Sequence, residues 1–238
     1  MKQLTEQENN QYAKLIALPQ YGKKAQERLK NAKVLVVGAG GLGSAVLPSL
    51  VAAGIGEVGL VEFDVVSLSN LPRQLLYSKN ELGKSKLKIA MQKLSFQNPE
   101  VTLQGFEERF NGTNANRLLE NYDVAIDCSD NFETRYLLND TCQKLQKPLI
   151  FGSVHDVFGQ VALFHGKKKS SLRHLFPEPP KTEAAPGILP QLPLFIGSLM
   201  VNEVIHFISE TSKTLDGKLL TINLQTYEMN TINLTKEN

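Results

Sequence analysis

The sequence predicts a doubly wound α/β domain. Three observations carry that reading: apolar strands alternate with helical segments over residues 33–154, a glycine-rich turn follows the first strand, and an acidic residue ends the second. In order, Leu4, Tyr12, Leu15 and Ile16 have helical spacing and predict a helix over residues 5–18, stopped by Pro19, with a second short helix over about 23–30. The alternation then runs strand 33–37, helix 43–53, strand 57–62, helix 85–96, strand 101–105, helix 114–119, strand 124–128, helix 132–145 and strand 149–154. After Gly159 the pattern changes. A strand over 160–165 leads into a Lys- and Pro-rich segment, 166–193, expected to be a mobile crossover loop, and Lys167-Lys168-Lys169 at its start reads as a solvated turn. A helix and two strands, 219–224 and 228–234, close the chain. The whole reads as one domain, 1–238, with a Rossmann-like, mostly parallel sheet, N-terminal helices and C-terminal antiparallel strands.

Composition excludes several functions. With 26 basic against 24 acidic residues the net charge is only +2, so no overall field favours nucleic acid or an anionic membrane. Residues 1–10 are polar and lack the apolar core of a signal peptide, which predicts a cytoplasmic location. Two cysteines, Cys128 and Cys142, supply neither a disulfide framework nor a C-x-x-C pair. The longest apolar run, 192–208, contains Asn202, Glu203 and His206 and begins at Pro193, so a buried helix is expected rather than a membrane span. His206 has no second ligand at helical spacing and reads as a polar-edge residue.

The chemistry gathers at the carboxyl ends of the predicted strands. In Gly38-Ala39-Gly40-Gly41-Leu42-Gly43, Gly38 makes the tight turn, Gly40 and Gly41 lack the Cβ that would hold a phosphate away, and Gly43 lets the helix pack closely. Glu62 stands about 20 residues past the loop, where an acid accepts hydrogen bonds from ribose hydroxyls, a position that suits NAD and ATP equally. Asp64 and the polar stretch from Ser67 to Gln74 are superfluous to a hydride-transfer enzyme. Asn70, Arg73 and, near the next helix start, Lys86 are three donors for a polyphosphate, and Ser69 lies among them. The fourth strand ends in Asp127-Cys128-Ser129-Asp130-Asn131. There Asp130 is either a Mg²⁺ ligand or the N-cap of the following helix, and Asp127 is a candidate organiser of the loop.

These motifs, in this order and spacing, resemble the ThiF/MoeB/HesA family, the bacterial relatives of ubiquitin-activating enzymes. The resemblance spans Tyr12-Ala13-Lys14 through Ile196-Gly197-Ser198-Leu199. It implies a homodimer that uses Mg·ATP to adenylate the C-terminal glycine of a small ubiquitin-like sulfur carrier ending in Gly-Gly. By the same resemblance Gly41 and Glu62 seat the adenosine, Asn70, Arg73 and Lys86 the polyphosphate, and Asp130 the magnesium, with Arg73, Lys86 and Asp130 catalytic. Gly38, Gly40, Gly43, Asp64, Ser69 and Asn131 complete the nucleotide site. The 166–193 loop would cross the carrier's extended tail.

The chain departs from that pattern in four places. Many relatives carry two C-x-x-C pairs for a structural zinc; Ser171-Leu172-Arg173-His174 occupies the first pair's place and nothing replaces the second, so no zinc is expected. The crossover loop holds Glu183 and no cysteine, which implies a separate sulfur donor. Glu62 stands where relatives have Asp. Lys14 replaces an Arg that reaches the partner's ATP, keeping the charge without the planar fork. The expected role is adenylation for thiazole (thiamine) synthesis. The alternatives are a molybdopterin-pathway adenylyltransferase, a non-catalytic carrier-binding module and, least supported, an NAD-dependent oxidoreductase.

Overall fold

A computed structural model describes residues 2–165, 170–180 and 187–234. The lysine triplet 167–169 and Glu183 lie outside the described residues. Among the described residues the sheet has eight strands: β1 (Lys33–Val37), β2 (Glu57–Val61), β3 (Thr102–Phe106), β4 (Val124–Asp127), β5 (Leu149–His155), β6 (Phe158–Phe164), β7 (Lys218–Asn223) and β8 (Glu228–Asn233). Their order is β3-β2-β1-β4-β5-β6-β7-β8. The first five are parallel, and β6, β7 and β8 add on antiparallel. Strand order reverses between β1 and β4. The carboxyl ends of those two strands therefore flank the crevice where open α/β sheets bind ligands.

Helices cover both faces, which is why β1 is apolar throughout. Val34 and Val36 point into one core with Leu47, Leu50 and Met200, while Leu35 and Val37 point into the other with Leu118, Leu138 and Phe151. The helices are α1 (Glu6–Gln11), α2 (Ala13–Ile16), α3 (Gly22–Asn31), α4 (Gly43–Ala53), α5 (Lys86–Gln97), α6 (Ala115–Leu119), α7 (Phe132–Lys144), α8 (Leu172–Leu175) and α9 (Gln191–Ser209). The expected single N-terminal helix is broken at Tyr12, which has left helical geometry (φ −96°, ψ 12°). Its ring is buried against Gly54, and its hydroxyl accepts a hydrogen bond from the Asn98 amide at 2.9 Å. Anchoring that ring outweighs continuing one short helix.

The 166–193 segment holds structure that its composition did not suggest. Helix α8 docks on α7: Leu172 N–H donates to Asn139 Oδ1 at 2.9 Å, Arg173 makes two bonds to the Asp140 carboxylate, and the Tyr136 hydroxyl donates to Phe176 O. Ser170, Ser171 and Leu172 are buried there. Helix α9 is long and apolar enough to cross a membrane, yet it packs as a core helix. Leu192, Ile196, Met200 and Val204 form its buried stripe, and Gly197 sits so close to α4 that a Cβ would come within 2.7 Å of Ala45 Cβ. Glu203, buried on the same helix, accepts from Leu215 N–H.

Candidate active site

The glycine turn leaves β1 as the spacing predicts, and two of its glycines are fixed by neighbouring backbone. Gly38 has φ +100°, and a Cβ there would stand 2.6 Å from Cys128 O on the adjoining strand exit. A Cβ on Gly43 would run into the Gly38 carbonyl oxygen, so the first turn of α4 can sit against β1 only with glycine at both positions. The cradle is locked from three sides. Gly38 N–H donates to Val61 O, Ala39 N–H to Glu62 Oε2 at 2.7 Å, and the buried Tyr77 hydroxyl to Ala39 O at 2.9 Å. Burial and the nearby Glu62 charge push the Tyr77 phenol well up, so it remains a donor.

What the lock leaves open suits an anion. Among the described residues the N–H groups of Gly40, Gly41 and Leu42 donate to no protein acceptor, and they lie at the positive end of α4. Ser44 Oγ and Gln74 Oε1 are buried beside this turn and make no hydrogen bond there. Gly41 is less open than its motif position suggests: a Cβ on it would meet Pro193 of α9 at 3.2 Å and Arg73 Cγ at 3.8 Å. The start of α9 therefore roofs the glycine loop.

Glu62 is more committed than expected. Buried at the exit of β2, it accepts from the N–H groups of Ala39, Phe63 and Asp64 within 2.8 Å, so it joins the two loops before any ribose arrives. Lys86 likewise has a partner: its buried side chain reaches Asp64 Oδ2 at 3.3 Å, and its N–H donates to Asp64 O. Asp64, half exposed, shares that ammonium with whatever phosphate approaches. Arg73 Nη1 donates to Ser69 O at 2.9 Å, Ser69 Oγ meets Ser67 Oγ at 3.2 Å, and the Asn70 carbonyl accepts from Arg73 and Gln74 N–H. The Asn70 side-chain amide has no hydrogen-bond partner among the described residues. One short turn thus carries both Asn70 and Arg73, and Arg73 lies against Gly41 of the glycine loop.

The β4 exit settles the capping alternative. Asn131, not Asp130, is the N-cap of α7, accepting Thr134 N–H at 2.9 Å. Asp130 is exposed, and among the described residues its side chain accepts one hydrogen bond, from the Asn131 amide at 3.5 Å. Asp127 is fully buried and accepts from Ser129 N–H and Oγ, which makes it the loop organiser. Sequence reasoning missed Arg135, whose Nη2 donates to Ser129 O, and passed over Gln74 and Tyr77. Their signal is burial of a polar side chain, which no spacing reveals.

Lys14 is not part of this constellation within one chain. It follows Tyr12 by two residues, and Tyr12 packs on Gly54 at the C-terminal end of α4, about 16 Å of helix away from the glycine turn. Both cysteines are buried, and burial raises both thiols well above their ordinary value, leaving no reactive thiolate among the described residues. No three His, Cys, Asp or Glu side chains cluster to hold a metal by themselves among the described residues. A cation at Asp130 would thus need oxygen ligands from a phosphate substrate, the arrangement Mg²⁺ favours.

Comparison with known proteins bears on the chain as a whole. Residues 12–238 match the ThiF family. The chain is 45% identical over 226 residues to the sulfur carrier protein adenylyltransferase of Thermus thermophilus, covering 91% of this chain and 83% of that protein. It is 38% identical to a probable molybdopterin-synthase adenylyltransferase of Porphyra purpurea, over 92% of this chain and 59% of that protein. It is 37% identical to the probable adenylyltransferase/sulfurtransferase MoeZ of Mycobacterium tuberculosis, over 98% and 62% respectively. The chain thus spans about three fifths of the last two. Among solved structures, Escherichia coli MccB with ATP superposes with a TM-score of 0.86 at 25% identity, over 98% of this chain and 73% of that one.

Proposed function

Because the chain belongs to the ThiF family, we propose that it uses ATP to adenylate the C-terminal glycine of a small ubiquitin-like sulfur-carrier protein, releasing pyrophosphate. The observation that carries this is the pairing, across the β1/β4 crevice, of a glycine turn with free N–H groups and an exposed Asp130 released from capping by Asn131. A terminal carboxylate oxygen attacks the α-phosphorus; the bond from that phosphorus to the bridging oxygen breaks, and pyrophosphate leaves with the electron pair. The protein contributes position and charge rather than covalent chemistry. The free N–H groups of the glycine turn, with Asn70, Arg73 and Lys86, hold the polyphosphate. Glu62 fixes the loops on the adenosine side. Asp130 would hold Mg²⁺ together with phosphate oxygens, and the ion, when bound, supplies positive charge opposite the leaving pyrophosphate.

Support for a protein partner lies on the antiparallel half. Leu194 and Phe195 of α9 with Ile222, Leu224, Tyr227 and Met229 line an apolar hollow of about 550 Å³, and Tyr227 is 84% exposed. Pro193, one residue before Leu194, covers Gly41, so a carrier seated in the hollow has a short route for its tail to the α-phosphate. In our reading Lys14 serves the site of a second protomer in a homodimer, since its own site is at the other end of α4. The buried thiols favour a separate sulfur donor protein, and in our reading the reaction runs in the cytoplasm. We assign the thiazole branch of thiamine synthesis as the pathway, with molybdopterin synthesis as the alternative. Intact-mass measurement of a Gly-Gly-ending carrier incubated with the protein and ATP should show an AMP adduct. Carrier binding with no adduct would make the protein a non-catalytic module, and calorimetric preference for NAD over ATP would return the oxidoreductase reading.

A further inference from the structure

Asp127 and Arg135 form a buried unit that the reaction as described above does not use. Asp127 ends β4 with no exposed surface, and Arg135 lies in the second turn of α7, 7% exposed. Between them sits Ser129. Its N–H and hydroxyl donate to Asp127 Oδ1 at 2.9 and 2.6 Å, and its carbonyl accepts from Arg135 Nη2 at 3.1 Å. All three polar groups of one residue are therefore held by one ion pair. The pair is itself held: the Arg135 guanidinium lies over the rings of Phe132 at 5.3 Å and Phe151 at 5.5 Å. Burial pushes the Asp127 carboxyl up, and the Arg135 charge beside it opposes that shift.

The ion pair is incompletely made. Asp127 Oδ2 and Arg135 Nε stand 3.8 Å apart, and neither has a hydrogen-bond partner among the described residues. Stability alone would favour an apolar pair here, because two buried charges that miss their hydrogen bond lose more by desolvation than they gain. What the arrangement does achieve is fixation of the turn 128–130. That turn backs directly onto Gly38, whose absent Cβ would meet Cys128 O and, at 3.3 Å, Ser129 N, and it carries Asp130 at its end.

We propose that Asp127 and Arg135 are positioning residues that act through Ser129 to aim the Asp130 carboxylate at the cation on the nucleotide phosphates. This rests on the reading of Asp130 given above. Groups bonded directly to a metal ligand contribute about 10- to 100-fold to metal affinity. Asp127 and Arg135 act one residue removed, through Ser129, so their effect belongs at the low end of that range, in the magnesium dependence of ATP binding.

Calorimetric titration of ATP into the full chain, in Mg²⁺ and in EDTA, tests it, with thermal unfolding measured in parallel. Arg135→Lys keeps the charge but replaces the planar fork, whose Nη2 reaches Ser129 O, with a single ammonium that cannot hold that carbonyl and face Asp127 in the same geometry. It should cut the Mg²⁺-dependent gain in ATP affinity about tenfold while the EDTA affinity moves less than twofold. If that variant does not fold, Ser129→Ala, which removes only the hydroxyl bond, should reduce the same gain by about threefold. A wild-type gain in the folded variant overturns the proposal, as does a parallel loss in Mg²⁺ and EDTA, the mark of a merely structural role. Asp130→Ala separates the two levels. If it too retains the gain, the reading of Asp130 falls and this proposal with it; if it loses the gain while the Arg135 and Ser129 variants retain it, only the positioning role falls.

Discussion

The carboxyl edge of the parallel strands and the antiparallel half of the same sheet both expose apolar side chains, Phe63, Val65, Leu68 and Leu75 after β2 among them, and differ in what they do with polar ones. At the parallel edge, polar side chains are buried and tied to backbone: Glu62 to three N–H groups, Asp127 to Ser129, Tyr77 to Ala39. On the antiparallel half, large apolar side chains stand in solvent: Phe158, Phe195, Tyr227, Met229 and Ile232. Charges that must meet a phosphate are held before it arrives, since reorganising them would raise the barrier. A surface that meets a folded partner needs apolar area and little preorganised charge. In the proposed function one half carries the chemistry and the other the recognition, and α9 joins them, with Pro193 on Gly41 and Phe195 in the apolar hollow.

Four perturbations bear on that division. The largest effect is expected at the parallel edge, where Arg73→Ala or Asp130→Ala should lower carrier adenylation by about 10²–10³-fold, read as initial rate of adduct formation. An unchanged rate in either would remove that residue from the chemistry. Next comes Glu203 on the connecting helix, whose carboxyl burial raises to about 7. The folded state holds this proton longer than the unfolded chain does. Its stabilising contribution is therefore full below the ordinary carboxyl value and lost as pH climbs through about 7. Glu203→Gln keeps an acceptor for Leu215 N–H, and denaturant titrations should find it more stable than wild type at pH 8 than at pH 5, by up to about 3 kcal/mol. Equal differences at both pH values would show that Glu203 is charged in the fold.

Smaller effects are expected on the recognition half. Tyr227→Ala with Met229→Ala should raise the carrier KM about tenfold, leaving kcat and ATP affinity as in wild type. A fall in kcat with KM constant would join the two halves and erase the division. The smallest belongs to Arg173→Ala, which removes an exposed pair with Asp140 and a stack over the Tyr136 ring, away from both the glycine turn and the apolar hollow; it should leave the denaturation midpoint close to that of wild type. A large fall in the midpoint would make α8 docking a structural keystone.

How far each region could be read from sequence follows the same contrast. Strands β1, β2, β4 and β5 were legible because strands covered on both faces are apolar runs, and helices between them have a different period; β3, a largely exposed edge strand of sequence TLQGF, was legible only from its place in the alternation. The glycine turn was legible because its spacing puts it directly after β1, whereas the roles of Arg73 and Asp130 came from the family resemblance and belong to the proposed function. That the cap of α7 is Asn131 rather than the Asp130 considered from sequence was not legible, since both residue types cap equally well. Arg135 escaped because its contact with Asp127 depends on how α7 leans on β4, a tertiary fact. Tyr12 breaking the first helix and α8 docking within 166–193 were hidden for the same reason: each depends on a distant surface, Gly54 in one case and α7 in the other.

The most direct test of the central claim is ATP–pyrophosphate exchange with labelled pyrophosphate and a carrier ending in Gly-Gly. Exchange that requires the carrier, and that disappears when its terminal carboxylate is amidated, is the predicted result. Exchange without any carrier, or none with a carrier shown to bind, would contradict it.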